Sequence, residues 1–513
     1  MEAAPRLVHH FLEGSAALFP EKTALVYGKR RAAFSDIDRR ANALASGLVR
    51  SGLGPGDRVV LLSENSVEYA VGYYGILKAG GIVASLDTDT KPGGLARIVM
   101  DLEPKAFVVS RRHEKTVRAL DASVSGEVPV VVLGREPATG ADDGPRPAID
   151  PAACAAIVYT SGSAGKPKGV MLSHANIVAN TGAIVGYLGL TPDDIQMAVL
   201  PFSYVMGMSL LNTHIAVGGT VVINNKFAYT AAVLKQMAEE GVTGFSGVPS
   251  TYAHLLFRSP LAAYRDRLPR LRYCSQAGGH MPGQVKRGLL KALPPHVRFV
   301  VMYGATEASA RLTYVPPDML EAKIDSIGVP IPGVSIEVMS PDGRPLGPGE
   351  AGEIVARGKN IMLGYFRDEE ATRTVLDAHG FHTGDLGYRD EDGYYYVTGR
   401  KDEQLKVGGR RLDPREVEDA IVESGLAVEC LVFGVADPMQ GTRLAGLVVP
   451  VERTDRTVEA ILEHCAARLP RFKVPGSLRL VEALPKTGSG KPDRTRAARL
   501  FERTGGQGRR KRL

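Results

Sequence analysis

The stretch YTSGSAGKPKGV at residues 159–170 carries residue types that suit a polyanionic ligand. Glycines allow backbone N–H groups to approach a ligand closely, hydroxyl side chains donate hydrogen bonds, and lysines supply positive charge. The stretch is not a Walker A loop, because Gly165 and Lys166 are followed by Pro167 and not by serine or threonine. The sequence therefore predicts a phosphate-binding loop of a different kind.

Four further motifs follow in the same chain: YGATE at 303–307, HTGDLG at 382–387, GRKDEQLKVGGRRLDPREVE at 399–418 and LPKTGSGKPDR at 484–494. Their chemistry is complementary to that of the loop. A carboxylate can accept hydrogen bonds from two hydroxyls or bind a hard cation. A lysine on a glycine-rich loop can reach into a cleft and stabilise developing negative charge. The motifs therefore indicate a site for a phosphorylated ligand.

Alternating strand and helix patterns must position these motifs. From about residue 55 to YGATE, short apolar runs such as CAAIVYT alternate with helix-period segments such as ANIVANTGAIVGYL. This alternation is typical of parallel sheets covered by helices, in which ligands bind beyond the carboxyl ends of the strands. The phosphate loop, AGGHMP and YGATE are all expected at such ends.

The pattern changes after about residue 325, where turns rich in glycine and proline predict hairpins. Beyond GRKDEQ a compact unit of helices and strands follows and ends in a long polar loop. The predicted fold class is α/β: a large N-terminal domain of parallel sheets covered by helices plus a small β-rich region, followed by a small, mobile α+β C-terminal domain. We expect a core domain over 1–400 and a lid domain, with the lysine loop and a basic tail, over 401–513.

Composition and charge argue against a membrane-spanning, secreted or nucleic-acid-binding protein. No apolar run is long enough to cross a membrane, and the first residues lack the apolar segment of a secretory signal. Four well-separated cysteines indicate buried thiols in a reducing cytoplasm. The net charge of +7 suits phosphate ligands, and part of it lies in the tail GRRKRL, which we expect to be a solvated terminus. No basic stripe with interleaved aromatic residues predicts nucleic-acid binding.

Together the five motifs, in this order, resemble the acyl-CoA synthetase, peptide-synthetase adenylation-domain and luciferase superfamily of adenylate-forming enzymes, most of all a stand-alone AMP-forming acyl-CoA ligase. The resemblance covers nearly the whole chain, from FPEKTALVYG at 19–28 to Arg494. It implies that ATP and a carboxylate form an acyl-adenylate, whose acyl group then passes to a second nucleophile. ATP, Mg²⁺ and coenzyme A are the implied ligands.

The resemblance also implies roles for individual residues. In the loop, the phosphates would be held by backbone and side chains of Thr160, Ser161, Gly162, Ser163, Gly165, Lys166 and Lys168. Ala164 stands where the family mostly has a hydroxyl, so one donor is missing. Loss of one charge-assisted hydrogen bond weakens ATP binding by about 1.5–3 kcal/mol without abolishing it.

In YGATE, the resemblance places Tyr303 against adenine, with Gly304 and Ala305 beside the adenylate, Thr306 on the α-phosphate and Glu307 on magnesium. The resemblance also implies roles for two glycines of AGGHMP and for residues that follow YGATE in the chain. Gly278 and Gly279 pass close to the adenine or acyl group, Asp385 accepts both ribose hydroxyls, and Arg400 reaches the same ribose or a phosphate. Asp402 is the hinge, Gly408 and Gly409 line the pantetheine tunnel, and Lys491 is the catalytic cation. Lys486, by contrast, is expected to be an exposed, solvated lysine.

The acid itself is less clearly specified. Its pocket is expected to be walled by Tyr204, Met206, Gly247 and Val248, with Asn212, His214 and Arg311 as further polar candidates. No aspartate follows Phe202 closely, so an α-ammonium group would be unpaired and a non-amino acid, aliphatic or aryl, is favoured. Bulky side chains equally fit a very small acid.

The acceptor remains open as well. Coenzyme A is the favoured acceptor, and a free-standing carrier protein or an amine is the alternative. An unusual small oxyacid is an alternative to the carboxylic acid as the activated substrate. The competing classes are an ordinary ATPase or kinase, which would release ADP, and a catalytically inactive nucleotide-binding relative. Either a monomer or a homodimer is compatible with the sequence.

Overall fold

The computed structural model describes residues 5–124, 128–135, 147–160, 167–401, 403–407, 410–437, 441–487 and 491–504. The helices are α1 His10–Leu18, α2 Phe34–Arg50, α3 Val67–Lys78, α4 Pro92–Leu102, α5 Glu114–Val124, α6 His174–Leu188, α7 Val205–Ala216, α8 Thr230–Glu239, α9 Pro249–Arg258, α10 Gly283–Ala292, α11 Glu369–Val375, α12 Pro414–Glu423, α13 Thr457–Arg468 and α14 Arg494–Thr504.

The strands fall into an N-terminal and a C-terminal set. The first set is β1 Thr23–Tyr27, β2 Arg30–Ala33, β3 Arg58–Leu62, β4 Ile82–Ser85, β5 Ala106–Val109, β6 Val130–Val132, β7 Cys154–Thr160, β8 Lys168–Ser173, β9 Ile195–Ala198, β10 Thr220–Ile223, β11 Gly244–Gly247, β12 Tyr273–Gln276 and β13 Arg298–Tyr303. The second set is β14 Thr313–Tyr314, β15 Val329–Pro330, β16 Val334–Met339, β17 Gly352–Gly358, β18 Gly364–Tyr365, β19 Leu376–Asp377, β20 Gly380–Arg389, β21 Tyr395–Arg400, β22 Leu405–Val407, β23 Arg410–Leu412, β24 Ala427–Asp437, β25 Gly441–Pro450 and β26 Ser477–Leu480.

Two large sheets form the N-terminal domain. One has the strand order β15-β14-β13-β12-β11-β9-β10-β1-β2, and the other has the order β18-β8-β7-β4-β3-β5-β6. The pairs from β13 to β1 and from β7 to β6 are parallel, whereas β2, β14, β15, β8 and β18 join through antiparallel pairs. The predicted parallel sheets are therefore confirmed, with antiparallel additions at their edges.

Helix α3 explains how the two sheets are joined. Its sequence VEYAVGYYGILK is apolar around most of its circumference, and such a helix must be buried on every side. It packs against α2, which buries a stripe including Ile37, Ala41, Leu44 and Leu48. Both helices share one apolar core with strands of the two sheets.

A smaller antiparallel sheet follows, with β16, β17, β20 and β19 in order and β21 paired to β20. It corresponds to the predicted β-rich region, in which the dense turns connect successive strands. The smaller C-terminal domain carries β24, β25 and β26, covered by α12 and α13 on one face and by α14 on the other.

The long polar loop predicted near the C-terminus is wrong in one respect. It contains β26, and Arg494–Thr504 forms the amphipathic helix α14. β26 is only four residues long and charged residues make up much of α14, so the hydrophobic pattern of both segments is weak, yet Ala497 is fully buried against β24 and β25. The basic tail lies outside the described residues.

Candidate active site

Three neighbouring parallel strands bring three of the predicted motifs together. Strands β11, β12 and β13 are paired side by side and end at Gly247, Gln276 and Tyr303. Val248 follows β11, Gly278 and Gly279 follow β12, and YGATE begins with the last residue of β13. Because the carboxyl ends of parallel strands meet at one edge, these loops line a common cleft.

YGATE is held in a tight turn. The strand ends at Tyr303 and Thr306–Ala308 forms a 3₁₀ turn, so YGATE lies at the carboxyl end of a strand, as expected. Gly304 is necessary here, because an added Cβ would lie 2.7 Å from the Cα of Arg311 and closer still to the Ala310 carbonyl oxygen. Glycine at this position therefore lets the backbone of 310–311 pack directly on the motif.

Asp385 lies beside this turn and contacts two of the residues that were predicted with it. The Tyr303 hydroxyl donates to Asp385 Oδ2 at 2.5 Å, and Arg400 Nε lies 3.7 Å from Oδ1. Strand pairing explains the second contact, since Asp385 and Arg400 are partners across β20 and β21. Burial, with Asp385 as a further cause, raises the pKa of Tyr303 well above its ordinary value, so the hydroxyl stays protonated and donates.

Glu307 lies where a metal ligand was predicted and is oriented by a residue that the sequence did not single out. The Tyr365 hydroxyl donates to Glu307 Oε1 at 2.8 Å. Lys168, the first residue after the phosphate loop in β8, places its amine 4.8 Å from the centre of the Tyr365 ring. The exit of the phosphate loop and YGATE therefore face one another across Tyr365.

Lys491 extends from the C-terminal domain toward the same group of side chains. The residue is solvent-exposed, yet protein atoms crowd the amine, and this desolvation lowers the pKa of Lys491 from its ordinary value. The carboxylates of Glu307 and Asp385 oppose that shift, whereas Arg400 adds to it. The backbone of Lys491 is held by Thr487, whose N–H donates to the Lys491 carbonyl oxygen at 2.8 Å.

Lys486 differs from the prediction of a solvated lysine. Its amine lies 3.0 Å from Glu429, and its side chain is one-quarter exposed. The ion pair belongs to the C-terminal domain and holds Lys486 away from the cleft side chains described above. Several other predicted residues lie outside the described part of the chain: Ser161, Gly162, Ser163, Gly165, Lys166, Asp402, Gly408 and Gly409.

The predicted acid pocket adjoins these loops. Met206 and Val248 belong to one apolar cluster with Ala277 and Met302, called the Met206 cluster below. Gly278 has a φ of +87°, which favours glycine, and Gly279 accepts a hydrogen bond from the Gln276 amide at 2.8 Å. Gly247 is buried under Thr251, whose side chain would lie 2.7 Å from an added Cβ. Thr160, Ala305 and Thr306 are half-buried at the ends of their elements.

Tyr204 has a partner that was not foreseen. Its hydroxyl donates to Asp87 Oδ2 at 2.6 Å, and burial together with Asp87 raises its pKa. Asp87 follows β4, more than a hundred residues earlier in the chain, so no local pattern signals the contact. A carboxylate therefore lies close to the predicted pocket, but it is engaged by Tyr204.

Two of the polar candidates are structural. Asn212 exchanges hydrogen bonds with Tyr73 and Tyr74 in the core between the sheets. His214 lies 3.0 Å from the Leu210 carbonyl and 3.2 Å from the Tyr273 hydroxyl, and burial lowers its pKa to about 4. Both are therefore core residues of α7 and not pocket contacts.

Comparison with known proteins agrees with this geometry. Residues 12–366 match the AMP-binding enzyme family, and residues 416–491 match the AMP-binding enzyme C-terminal domain. The predicted domain boundary at 400/401 falls between the two matches and stays a prediction. Within the described residues, no helix is long and apolar enough to cross a membrane.

Individual relatives are similar over nearly their whole length. A feruloyl-CoA synthase of Amycolatopsis is 33% identical over 93% of this chain and 95% of its own. A sulfoacetate–CoA ligase of Cupriavidus necator is 31% identical over the same shares of the two chains. The structure of ATP-bound MatB from Rhodopseudomonas palustris superposes with a TM-score of 0.85 at 28% identity, covering 97% of this chain and 99% of its own. The chain therefore belongs to the AMP-binding enzymes, the adenylate-forming superfamily that includes the stand-alone acyl-CoA ligases.

Proposed function

We propose that the protein activates a carboxylic acid with ATP and passes the acyl group to the thiol of coenzyme A. In the first step a carboxylate oxygen attacks the α-phosphorus, and the bond to pyrophosphate breaks. In the second step the thiol sulfur attacks the acyl carbon, and the bond from that carbon to AMP breaks. The observation that carries the proposal is the meeting of Tyr303, Asp385, Glu307 and Lys491 from three separate parts of the chain.

The nucleotide would lie along this meeting point. Asp385 is suited to the ribose because a carboxylate accepts hydroxyl hydrogen bonds, and Tyr303 and Arg400 fix its two oxygens in place. Thr306 would contact the α-phosphate, while Thr160 and Lys168, at the two ends of the phosphate loop, would contact the departing pyrophosphate. Lys491 would bridge the attacking carboxylate and an α-phosphate oxygen, where negative charge accumulates.

Glu307 fits a hard divalent cation, since it offers a half-buried carboxylate oriented by the Tyr365 hydroxyl. Mg²⁺ bound there would neutralise charge on the phosphates. The residues of this chain supply only part of the coordination, and phosphate oxygens would complete it.

The acid is proposed to be a non-amino acid. The Met206 cluster offers apolar walls, which give an α-ammonium group no partner. The relatives do not single out one acid, because one is named for ferulate and another for sulfoacetate.

For the transfer step we infer that the C-terminal domain rotates about Asp402 and brings the Gly408-Gly409 loop to the pantetheine arm. The inference rests on the resemblance of KVGGRR to the family motif. Such rigid-body closure allows one small domain to serve two reactions.

Product identity tests the proposal. The protein is incubated with ATP, Mg²⁺ and a panel of carboxylic acids, with and without coenzyme A, and the nucleotide products are separated. We expect acid-dependent AMP and pyrophosphate, with an acyl thioester when coenzyme A is present. Acid-dependent ADP and phosphate would exclude adenylation.

A further inference from the structure

Arg311 is a buried cation with no carboxylate partner among the residues that the structure describes. Only 2% of the residue is exposed. Its Nε donates to the Met302 sulfur at 3.3 Å and its Nη1 to the Ala310 carbonyl at 3.0 Å, both of which are neutral acceptors. Tyr187 lies beside the guanidinium, and its own hydroxyl donates to Met302.

Such a group is costly to bury. An arginine keeps its proton at every physiological pH, so it cannot escape burial by becoming neutral. A buried charge is stable in a folded protein when an opposite charge and hydrogen bonds accompany it. Burial lowers the pKa of Arg311 below its ordinary value, which reflects the missing counter-charge. The counter-charge is therefore expected from a ligand.

The backbone that carries Arg311 is held in an unfavourable conformation. Ser309 and Ala310, the two residues before it, have φ values of +54° and +115°, where residues other than glycine are strained. Two buried amides fix this turn: Asn180 and Asn360 both donate to the Arg311 carbonyl, at 3.0 and 2.8 Å. Backbone strain that the surroundings enforce in this way is common at ligand sites.

The turn lies directly against the proposed reaction centre. The absence of a side chain at Gly304 allows Arg311 to pack on YGATE, as described above. Met302, which accepts the hydrogen bond from Arg311, is a member of the Met206 cluster at the predicted acid pocket. The guanidinium therefore contacts a wall of the predicted acid pocket through Met302.

We propose that Arg311 binds a second anionic group of the substrate, so that the acid is a short dicarboxylate or sulfocarboxylate. Guanidinium groups pair with carboxylates and sulfonates through parallel hydrogen bonds, which gives both orientation and selectivity. The reacting carboxylate would face Lys491, and the other anion would neutralise Arg311. This inference rests on the proposed function and adds the chemical class of its substrate.

Matched pairs of acids test the inference with the unmodified protein. Malonate, succinate and glutarate are compared with propionate, butyrate and pentanoate, and 3-sulfopropionate is compared with butyrate, by acid-dependent exchange of pyrophosphate into ATP. We expect at least one dianion to exceed its matched monoanion by roughly a hundredfold or more in kcat/KM, the range for losing a charge-assisted hydrogen-bonded group. The sulfonate arm shows whether the second anion must be a carboxylate.

The outcomes separate this inference from the proposed function. Exchange that is supported equally well by monoanions overturns the role of Arg311 and leaves adenylation intact. If no carboxylic acid supports exchange, both the role of Arg311 and the proposed adenylation are overturned.

Variants locate the preference on one residue. Arg311→Gln should lose the preference for the dianion while the KM for ATP changes little, and Arg311→Lys should retain part of it. Arg298→Gln is the matched control, because this exposed arginine at the other end of β13 should leave the preference unchanged. Thermal unfolding with and without ATP identifies a variant that fails to fold. If Arg311→Gln does not fold, the preference for the dianion is compared between Arg311→Lys and the unmodified protein. A full preference for the dianion in folded Arg311→Gln overturns the inference.

Discussion

At the scale of single residues, the account depends on cations and carboxylates that come from distant parts of the chain. Glu307 and Asp385 belong to the N-terminal domain, whereas Lys491 belongs to the C-terminal one, and both carboxylates oppose the lowering of the Lys491 pKa that desolvation causes. No one of these side chains specifies a reaction. Under the proposed function, Asp385 would accept the ribose hydroxyls, Glu307 would bind the metal and Lys491 would be the cation for the transition state.

Replacing Lys491 by alanine should separate the two half-reactions. Loss of one aimed cation typically lowers a rate by about 10²–10³, so adenylate formation should fall by that factor. Transfer from a supplied acyl-adenylate should be largely preserved, because that step needs no cation at the α-phosphorus. Pyrophosphate bursts and single-turnover transfer assays measure the two steps.

Lys486→Ala is the matched control, since Lys486 lies five residues earlier in the same domain but pairs with Glu429. It should leave the burst within about twofold of the unmodified protein, as for most surface substitutions. Equal slowing of both half-reactions in Lys491→Ala would contradict the assigned role.

At the scale of elements, the sequence pattern predicted the strands whose ends form the site. The apolar run CAAIVYT is predicted as a strand and forms β7, because a buried strand leaves a strong hydrophobic pattern. Contacts between elements were not predictable in the same way. The hydrogen bond from Tyr365 to Glu307 joins residues 58 apart, and the one from Tyr204 to Asp87 joins residues 117 apart. Short-range hydrophobic periodicity does not predict contacts over such separations.

The turn of YGATE gives a test at this scale. Gly304→Ala forces a methyl group against the backbone of Ala310 and Arg311, so the turn must move. Overpacking of this kind costs about 1–3 kcal/mol, and the displaced turn should also weaken ATP binding. Thermal unfolding and ATP titration measure both effects.

Gly182→Ala serves as the control, since an added Cβ in α6 would meet no atom within 4 Å. It should be neutral or slightly stabilising, because alanine is the better helix former. Unchanged ATP affinity in Gly304→Ala would contradict the proposed placement of the adenylate beside this turn.

A second prediction at this scale concerns how the free energy of unfolding depends on pH through His214 of helix α7. Burial lowers the pKa of His214 to about 4, from the ordinary 6.5. As the pH falls from 6.5 toward 4, the unfolded chain takes up a proton that the folded chain does not, so the free energy of unfolding decreases. The contribution of His214 to this slope is up to about 1.4 kcal/mol per pH unit. His174, with its pKa also lowered to about 4, contributes in the same direction.

His214→Gln should therefore flatten, but not abolish, the loss of stability between about pH 6.5 and 4. Urea midpoints at several pH values measure the slope, and exposed His379→Gln is the control that should leave it in place. An undiminished slope in His214→Gln would show that the acid sensitivity arises elsewhere.

At the scale of the whole molecule, the C-terminal domain is seated on the N-terminal one in the arrangement that brings Lys491 to Glu307. Ala253 of α9 belongs to the apolar core around β24, and His280 lies 2.8 Å from Asp419. His254 and Glu429 add a longer contact at 3.9 Å. The apolar part of this contact also includes Val422 of α12, which is buried in a core cluster of the N-terminal domain.

Asp419→Ala should weaken this arrangement slightly. The pair with His280 is about one-third exposed, and such pairs contribute about 0–1 kcal/mol, so the burst should slow by no more than about fivefold. Transfer from supplied acyl-adenylate should be unchanged or faster, since it uses the other arrangement. Lys473→Ala, which breaks an ion pair inside the C-terminal domain, is the control for both steps. Slower transfer in Asp419→Ala would argue against two alternating arrangements.

The fate of the carboxylate oxygen tests the central claim most directly. An acid that supports the reaction is labelled with ¹⁸O in its carboxyl group and converted fully with ATP, Mg²⁺ and coenzyme A, and the nucleotide product is analysed by mass spectrometry. If the carboxylate attacks the α-phosphorus and the thiol later displaces AMP from the acyl carbon, each AMP carries one ¹⁸O. Unlabelled AMP, or label found in inorganic phosphate, would contradict an acyl-adenylate intermediate.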